Sequence, residues 1–178
     1  MSILSKHTLT ILACGLLLIT SMAHAQTTTL SVAVGAEAAL TVNTGTSTLS
    51  TASSTFGAAY TGTTSLTYKI RTTKTGGTGT ITLKVTTDFA GTGGPSVTTP
   101  PTAGDALTYT CTVASPGTAC TGSQTASTST ATSVGTFGAS ANSVSAGNSA
   151  SVAWSLTDDP VYATGTYTAT VTFTISAT

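Results

Sequence analysis

The chain has 178 residues, five Lys or Arg against five Asp or Glu, two His and a formal net charge of zero at pH 7. Charge this sparse and this even excludes a basic footprint for nucleic acid and a polybasic patch for membranes. The 43 threonines after Gln26, with abundant Ser, Gly and Ala, point to a surface made soluble by hydroxyls rather than ions.

The chain begins as an export signal. Lys6 lies in a short polar region, Leu9 to Met22 is largely apolar, and Ala23-His24-Ala25 places small residues at the −3 and −1 positions of a signal-peptidase site. Cleavage after Ala25 would leave about 150 residues, which suits one domain, 26–178. The apolar run is shorter than the roughly 20 residues of a membrane span, so no transmembrane anchor is expected in the mature chain. A second pattern, Ile11-Leu12-Ala13-Cys14, loosely resembles a lipoprotein signal, but lipidation at Cys14 would strand Leu16 to Ile19 on the mature side. Both histidines, His7 and His24, leave with the signal. Nucleophiles activated by His and His-ligated zinc or copper sites are thereby excluded.

After the cut, Leu30, Val32, Val34, Ala36, Ala38, Leu40 and Val42 alternate with mostly small or polar residues. Period-two alternation marks a β-strand with one buried face. At 13 residues, about 40 Å when extended, it exceeds a usual strand. It is either two strands bent near Gly35 on one core, or an N-terminal extension (within 26–43) able to pair with a neighbour's open sheet edge. Residues 43–62 read as a loop with one short strand near Thr48 to Thr51. Next, Leu66, Tyr68 and Ile70 alternate into a Gly-rich segment, and Ile81, Leu83 and Val85 alternate out of it, which predicts a β-hairpin with Lys69, Arg71 and Lys84 on its outer face.

Asp88 to Gly104, punctuated by Gly and Pro, reads as a long loop. Leu107, Tyr109, Cys111 and Val113 form the next strand, and Ser115-Pro116-Gly117 turns the chain toward Cys120. Two cysteines in an exported chain most simply form one disulfide, here adding ~2–3 kcal/mol for a loop of about ten residues. A redox pair would call for C-x-x-C and a helix start, and neither is present. Thr121 to Ser133 has no apolar periodicity and suits an exposed loop or an O-glycosylated segment. Val152, Trp154 and Leu156 alternate into a strand with Trp154 inward. Asp158-Asp159 reads as a polar turn, or as part of an oxygen-ligated calcium site with Asp88 and Asp105. No catalytic constellation, cofactor motif or phosphate loop is present, so an enzyme is not expected.

The last strand is the most regular. Tyr167, Ala169, Val171, Phe173 and Ile175 alternate with threonines, so the first set should be buried and the second exposed. Gly165-Thr-Tyr167 and this alternation resemble the terminal strand of exported bacterial pilin-like subunits of the spore coat protein U type and related fimbrial proteins. The resemblance implies an immunoglobulin-like sandwich whose subunits lend an N-terminal strand to a neighbour. Leu30 to Val42 would then be the lent strand and Tyr167 to Ile175 part of the receiving groove. Cys111 and Cys120 depart from that pattern, being too close for a long cross-sheet bridge.

The expected fold is therefore all-β, an antiparallel immunoglobulin-like sandwich of about seven to nine strands, since no fixed repeat supports a solenoid. The expected role is a non-enzymatic structural subunit of a bacterial cell-surface fibre, pilus or coat, secreted through the periplasm. Its partners would be copies of itself or other surface subunits. The alternative is a surface- or glycan-binding module that uses Tyr60, Tyr109 or Tyr162 for stacking. A third reading, ice recognition by outward threonines, needs several in-register rows, and the sequence offers one.

Overall fold

A computed structural model describes residues 27–51 and 53–178. The predicted signal, the cleavage site and Cys14 lie outside the described residues. Residues 34–178 form one compact unit, and residues 27–33 fall outside it.

The compact unit is all-β, with no helix among the described residues. Nine strands follow in order: β1 (Glu37–Val42), β2 (Ala59–Arg71), β3 (Gly79–Thr87), β4 (Thr108–Val113), β5 (Thr118–Ala119), β6 (Gln124–Thr125), β7 (Thr132–Phe137), β8 (Asn148–Thr157) and β9 (Thr170–Ala177). They build two antiparallel sheets, β1-β2-β8-β4-β6 and β5-β7-β3-β9. Both sheets send their apolar rows into one core, which contains Leu66, Tyr68, Ile70, Val152, Trp154 and Leu156 from the first and Ile81, Leu83, Val85, Val134 and Phe137 from the second.

The segments on either side of Gly76-Gly77 do not form a hairpin. β2 lies in the first sheet and β3 in the second, so residues 72–78 carry the chain across the sandwich. Both strands still turn their apolar residues to the same core, which is why alternation alone could not separate paired strands from facing ones. Consequently Lys69 and Lys84 stand on the outer faces of opposite sheets, and the expected shared cationic face does not exist. The crossover is held at Thr72, whose buried hydroxyl donates to the Gly138 carbonyl at 2.7 Å and accepts from the Ala141 N–H at 2.9 Å.

Aromatic side chains tie the layers together. Tyr68 packs on Phe137 of the opposite sheet at 5.1 Å between ring centroids, and its hydroxyl donates to the Ala114 carbonyl. Tyr109 packs on Trp154 at 5.5 Å and reaches across the core to donate to the Ser133 carbonyl at 2.8 Å. Satisfying a buried phenol in this way avoids a penalty of about 1–3 kcal/mol. The disulfide joins Cys111 and Cys120. Cys111 lies in β4 of the first sheet, whereas Cys120 follows β5 and donates its N–H to Val134 of the second. The bridge is thus a local link between sheets despite its short spacing, because the chain changes sheet at Ser115-Pro116-Gly117.

Candidate functional site

The two long sides of the sandwich are unlike. One is closed by the two-residue strands β5 and β6 and by the Cys111–Cys120 bridge. The other is bounded by two longer edge strands, β1 and β9, which contact each other across the sandwich but are not hydrogen-bonded to one another. Among the described residues, β9 pairs with β3 alone. An edge of this kind offers unpaired N–H and C=O groups to any extended segment that reaches it.

The phase of β9 is the one its sequence predicts. Thr170, Thr172 and Thr174 are exposed, and Val171, Phe173 and Ile175 point to the core, as does Ala169 just before the strand, whereas the ring of Tyr167 lies against Gly91 and Gly94. None of these five apolar residues is fully buried, however. All are half-buried, and Ala169, Val171, Phe173 and Ile175 pack against the rim of the core, as do Ala38 and Leu40 of β1. Full burial was expected, but at an edge only one flank of each side chain has a neighbouring strand.

The long alternating N-terminal segment divides. Ala38, Leu40 and Val42 lie in β1, in register with Ile70, Tyr68 and Leu66 of the same chain. Leu30, Val32 and Val34 are in no strand and are 92%, 86% and 63% exposed, with Ala36 just ahead of β1. Arg71 fixes the entry to β1, its guanidinium donating to the Gly35 carbonyl at 2.7 Å and to the Glu37 carboxylate at 3.0 Å.

A second cluster lies where β8 ends. Asp105 and Asp159 are buried and Asp158 is half-buried. Tyr162 donates to Asp105 at 3.2 Å, and the Val161 N–H donates to Asp159 at 2.8 Å. Burial, and then the Asp105 charge, push the Tyr162 phenol well above its ordinary range. The Tyr60 phenol is raised by its hydrogen bond to Asp158. Hydrogen bonds from the Thr102 side chain and the Val161 backbone hold Asp159 below its usual value. Among the described residues, no group of three His, Cys, Asp or Glu is arranged to hold a metal. Tyr60 and Tyr162 therefore stand at one end of the sandwich, whereas Tyr109 is buried and cannot stack on a ligand.

The outer faces carry more hydroxyl order than the sequence revealed, because rows across strands depend on register. Thr125, Thr108, Ser155 and Thr61 align across four strands of the first sheet, and Thr112, Ser151 and Ser65 across three. The first row borders a shallow recess of about 280 Å³ that is also lined by Thr63, Thr110 and Ser123.

Comparison with protein-family models, curated proteins and solved structures returned no match. No helix among the described residues is long and apolar enough to cross a membrane.

Proposed function

We propose that this chain is a non-enzymatic structural subunit of a bacterial cell-surface fibre, pilus or coat. It is exported through the periplasm, folded as an immunoglobulin-like sandwich, and assembled by β-strand addition. The observation that carries this reading is the pairing of opposites within one chain: an edge strand, β9, with a half-buried apolar face, and an exposed alternating segment, Leu30 to Val34. Laid along β9 of a second copy, Leu30, Val32 and Val34 would cover Val171, Phe173 and Ile175 while their backbone pairs with the free edge. The lent segment is narrower than Leu30 to Val42, because Ala38 to Val42 already complete the first sheet of their own subunit.

Negative-stain electron microscopy of the native protein beside a variant lacking residues 27–36 tests this reading. Filaments from the first and monomers from the second are expected. Filaments from both, or monomers from both, would sink strand addition. A surface- or glycan-binding role is the second reading. It draws support from Tyr60 and Tyr162, which flank Asp105, Asp158 and Asp159 at one end. Glycan binding that is lost in Tyr162→Ala would favour it.

A further inference from the structure

The few charges of this domain are sorted by end. β2 runs from one end, at Ala59 beside Thr157, to the other, at Arg71 beside Glu37. Asp158 and Asp159 follow β8 at the first end, where Asp105 meets Tyr162. Asp88 lies there too, one residue after β3, whose Thr87 pairs with Thr170 at the start of β9. Lys74, in the β2–β3 crossover, lies at the opposite end with Lys69, Arg71 and Glu37. Lys84 stands inside β3 on the outer face of the second sheet.

Among the described residues, Arg71–Glu37 is the one ion pair, so no cation of those residues pairs with the aspartates. The two ends also differ in relief. The basic end holds a recess of about 450 Å³ whose lining includes Val34, Ala36, Arg71, Lys74, Ser140 and Asn142. The acidic end presents the turn Asp158-Asp159-Pro160-Val161, in which Pro160 and Val161 are exposed.

We propose that copies of this chain dock end to end, the Asp158–Val161 turn of one copy seated in the Arg71/Lys74 recess of the next. Asp158 faces Lys74 of the neighbour, since Arg71 is already held by Glu37. Val161 covers the apolar side of the recess at Ala36. Asn142 and Ser140 supply polar partners for the turn's backbone. A contact between two different surfaces of one molecule is heterologous, and repeated without closure it generates a filament.

This docking deepens the strand-addition reading and, as a route to a fibre, rests on it. The directions agree. β1 starts at the basic end and β9 finishes there, Thr178 accepting a hydrogen bond from the Thr73 N–H at 3.0 Å. A segment preceding β1 and carried into the acidic end of a like-oriented copy therefore runs antiparallel to that copy's β9, the sense in which a new edge strand pairs best.

The test uses Lys74→Glu, Asp158→Lys and the double variant of the full chain. Each is made in the native background and in one carrying Val32→Pro, which blocks strand pairing at the lent segment. Melting curves confirm that each variant folds. In the native background, each single reversal is expected to slow fibre elongation about tenfold at low salt, and the double variant to recover most of that loss. High salt should erase the differences by screening. In the Val32→Pro background, small-angle scattering at low salt should show end-to-end attraction that is lost in each single variant and regained in the double. Elongation and scattering indifferent to the reversals, or a double variant no better than its parents, would overturn the docking and leave strand addition standing. Charge-dependent attraction without fibres in the native background would support the docking and remove strand addition instead.

Discussion

The indole Nε1 of Trp154 donates to the hydroxyl of Thr64 at 2.9 Å, and both side chains are buried. The pair joins neighbouring strands of the first sheet, where Thr64 stands opposite Val152. On the other side, the Thr64 hydroxyl meets Ser47 Oγ at 2.6 Å, which ties the β1–β2 connection to the sheet. Thr64→Val keeps the shape and removes the acceptor, leaving a buried N–H without a partner. We expect a loss of about 1–3 kcal/mol in denaturant unfolding. Thr64→Ser, which keeps the oxygen, should recover most of that loss. Equal stabilities for the two variants would mean that the hydrogen bond contributes little.

Asp88 organises the loop that leads away from β3. Burial raises its pKa, but four hydrogen bonds outweigh burial: N–H groups of Phe89, Val97 and Thr98 donate at 2.8, 2.7 and 3.0 Å, and the Ser96 hydroxyl at 2.8 Å. The carboxyl is lowered to about 2 from 3.8. Because the folded value lies below the unfolded one, the stabilisation is complete above the unfolded pKa and is lost as pH falls through the folded value. Discounted for partial exposure, the effect is about 1–2 kcal/mol. Unfolding free energy should be flat from neutral pH down to about 4, then decline toward 2. Asp88→Asn should be less stable at pH 7 and show a shallower decline, the remainder coming from Asp159, which is also lowered. An unchanged acid limb in that variant would exclude Asp88 as its source.

Alternation in the sequence was enough to orient side chains, and the inward rows of β2, β3, β8 and β9 follow it residue by residue. It does not say which strand lies beside which. The runs around Tyr68 and Leu83 have the in–out pattern of a hairpin, yet they face each other across the core. Burial of Thr64 and Thr72 was not legible, since a threonine inward on a strand looks like one outward until its hydroxyl has a partner. β5 and β6, two residues each, are too short to carry a period. The candidate edge was legible in composition but not in position: nothing in the alternation of Tyr167 to Ile175 distinguishes an edge strand from a central one. The acidic cluster likewise depends on the turn after β8 folding back toward Asp105, a contact 57 residues apart in sequence when measured from Tyr162.

The approach to β9 is controlled by two glycines that make room for one ring. An ideal Cβ built on Gly94 would overlap the ring of Tyr167, and one on Gly91, whose φ is +129°, would stand 2.8 Å from its Cε1. The Ala163 N–H donates to the Gly93 carbonyl at 2.7 Å, and the Tyr167 hydroxyl donates to the Ala163 carbonyl at 2.8 Å. Residues 91–94 therefore clasp residues 163–167 and set where the final strand begins. Gly94→Ala forces either the loop or the ring to move. We expect a cost of about 1–3 kcal/mol and faster amide exchange across residues 163–169 with little change in the core of β3. Combining it with Tyr167→Ala removes the clash, so the double variant should be less destabilised than the sum of the singles, by about 0.5 kcal/mol or more. Strict additivity would show that Gly94 is required for its backbone alone, and that the ring of Tyr167 does not hold the loop.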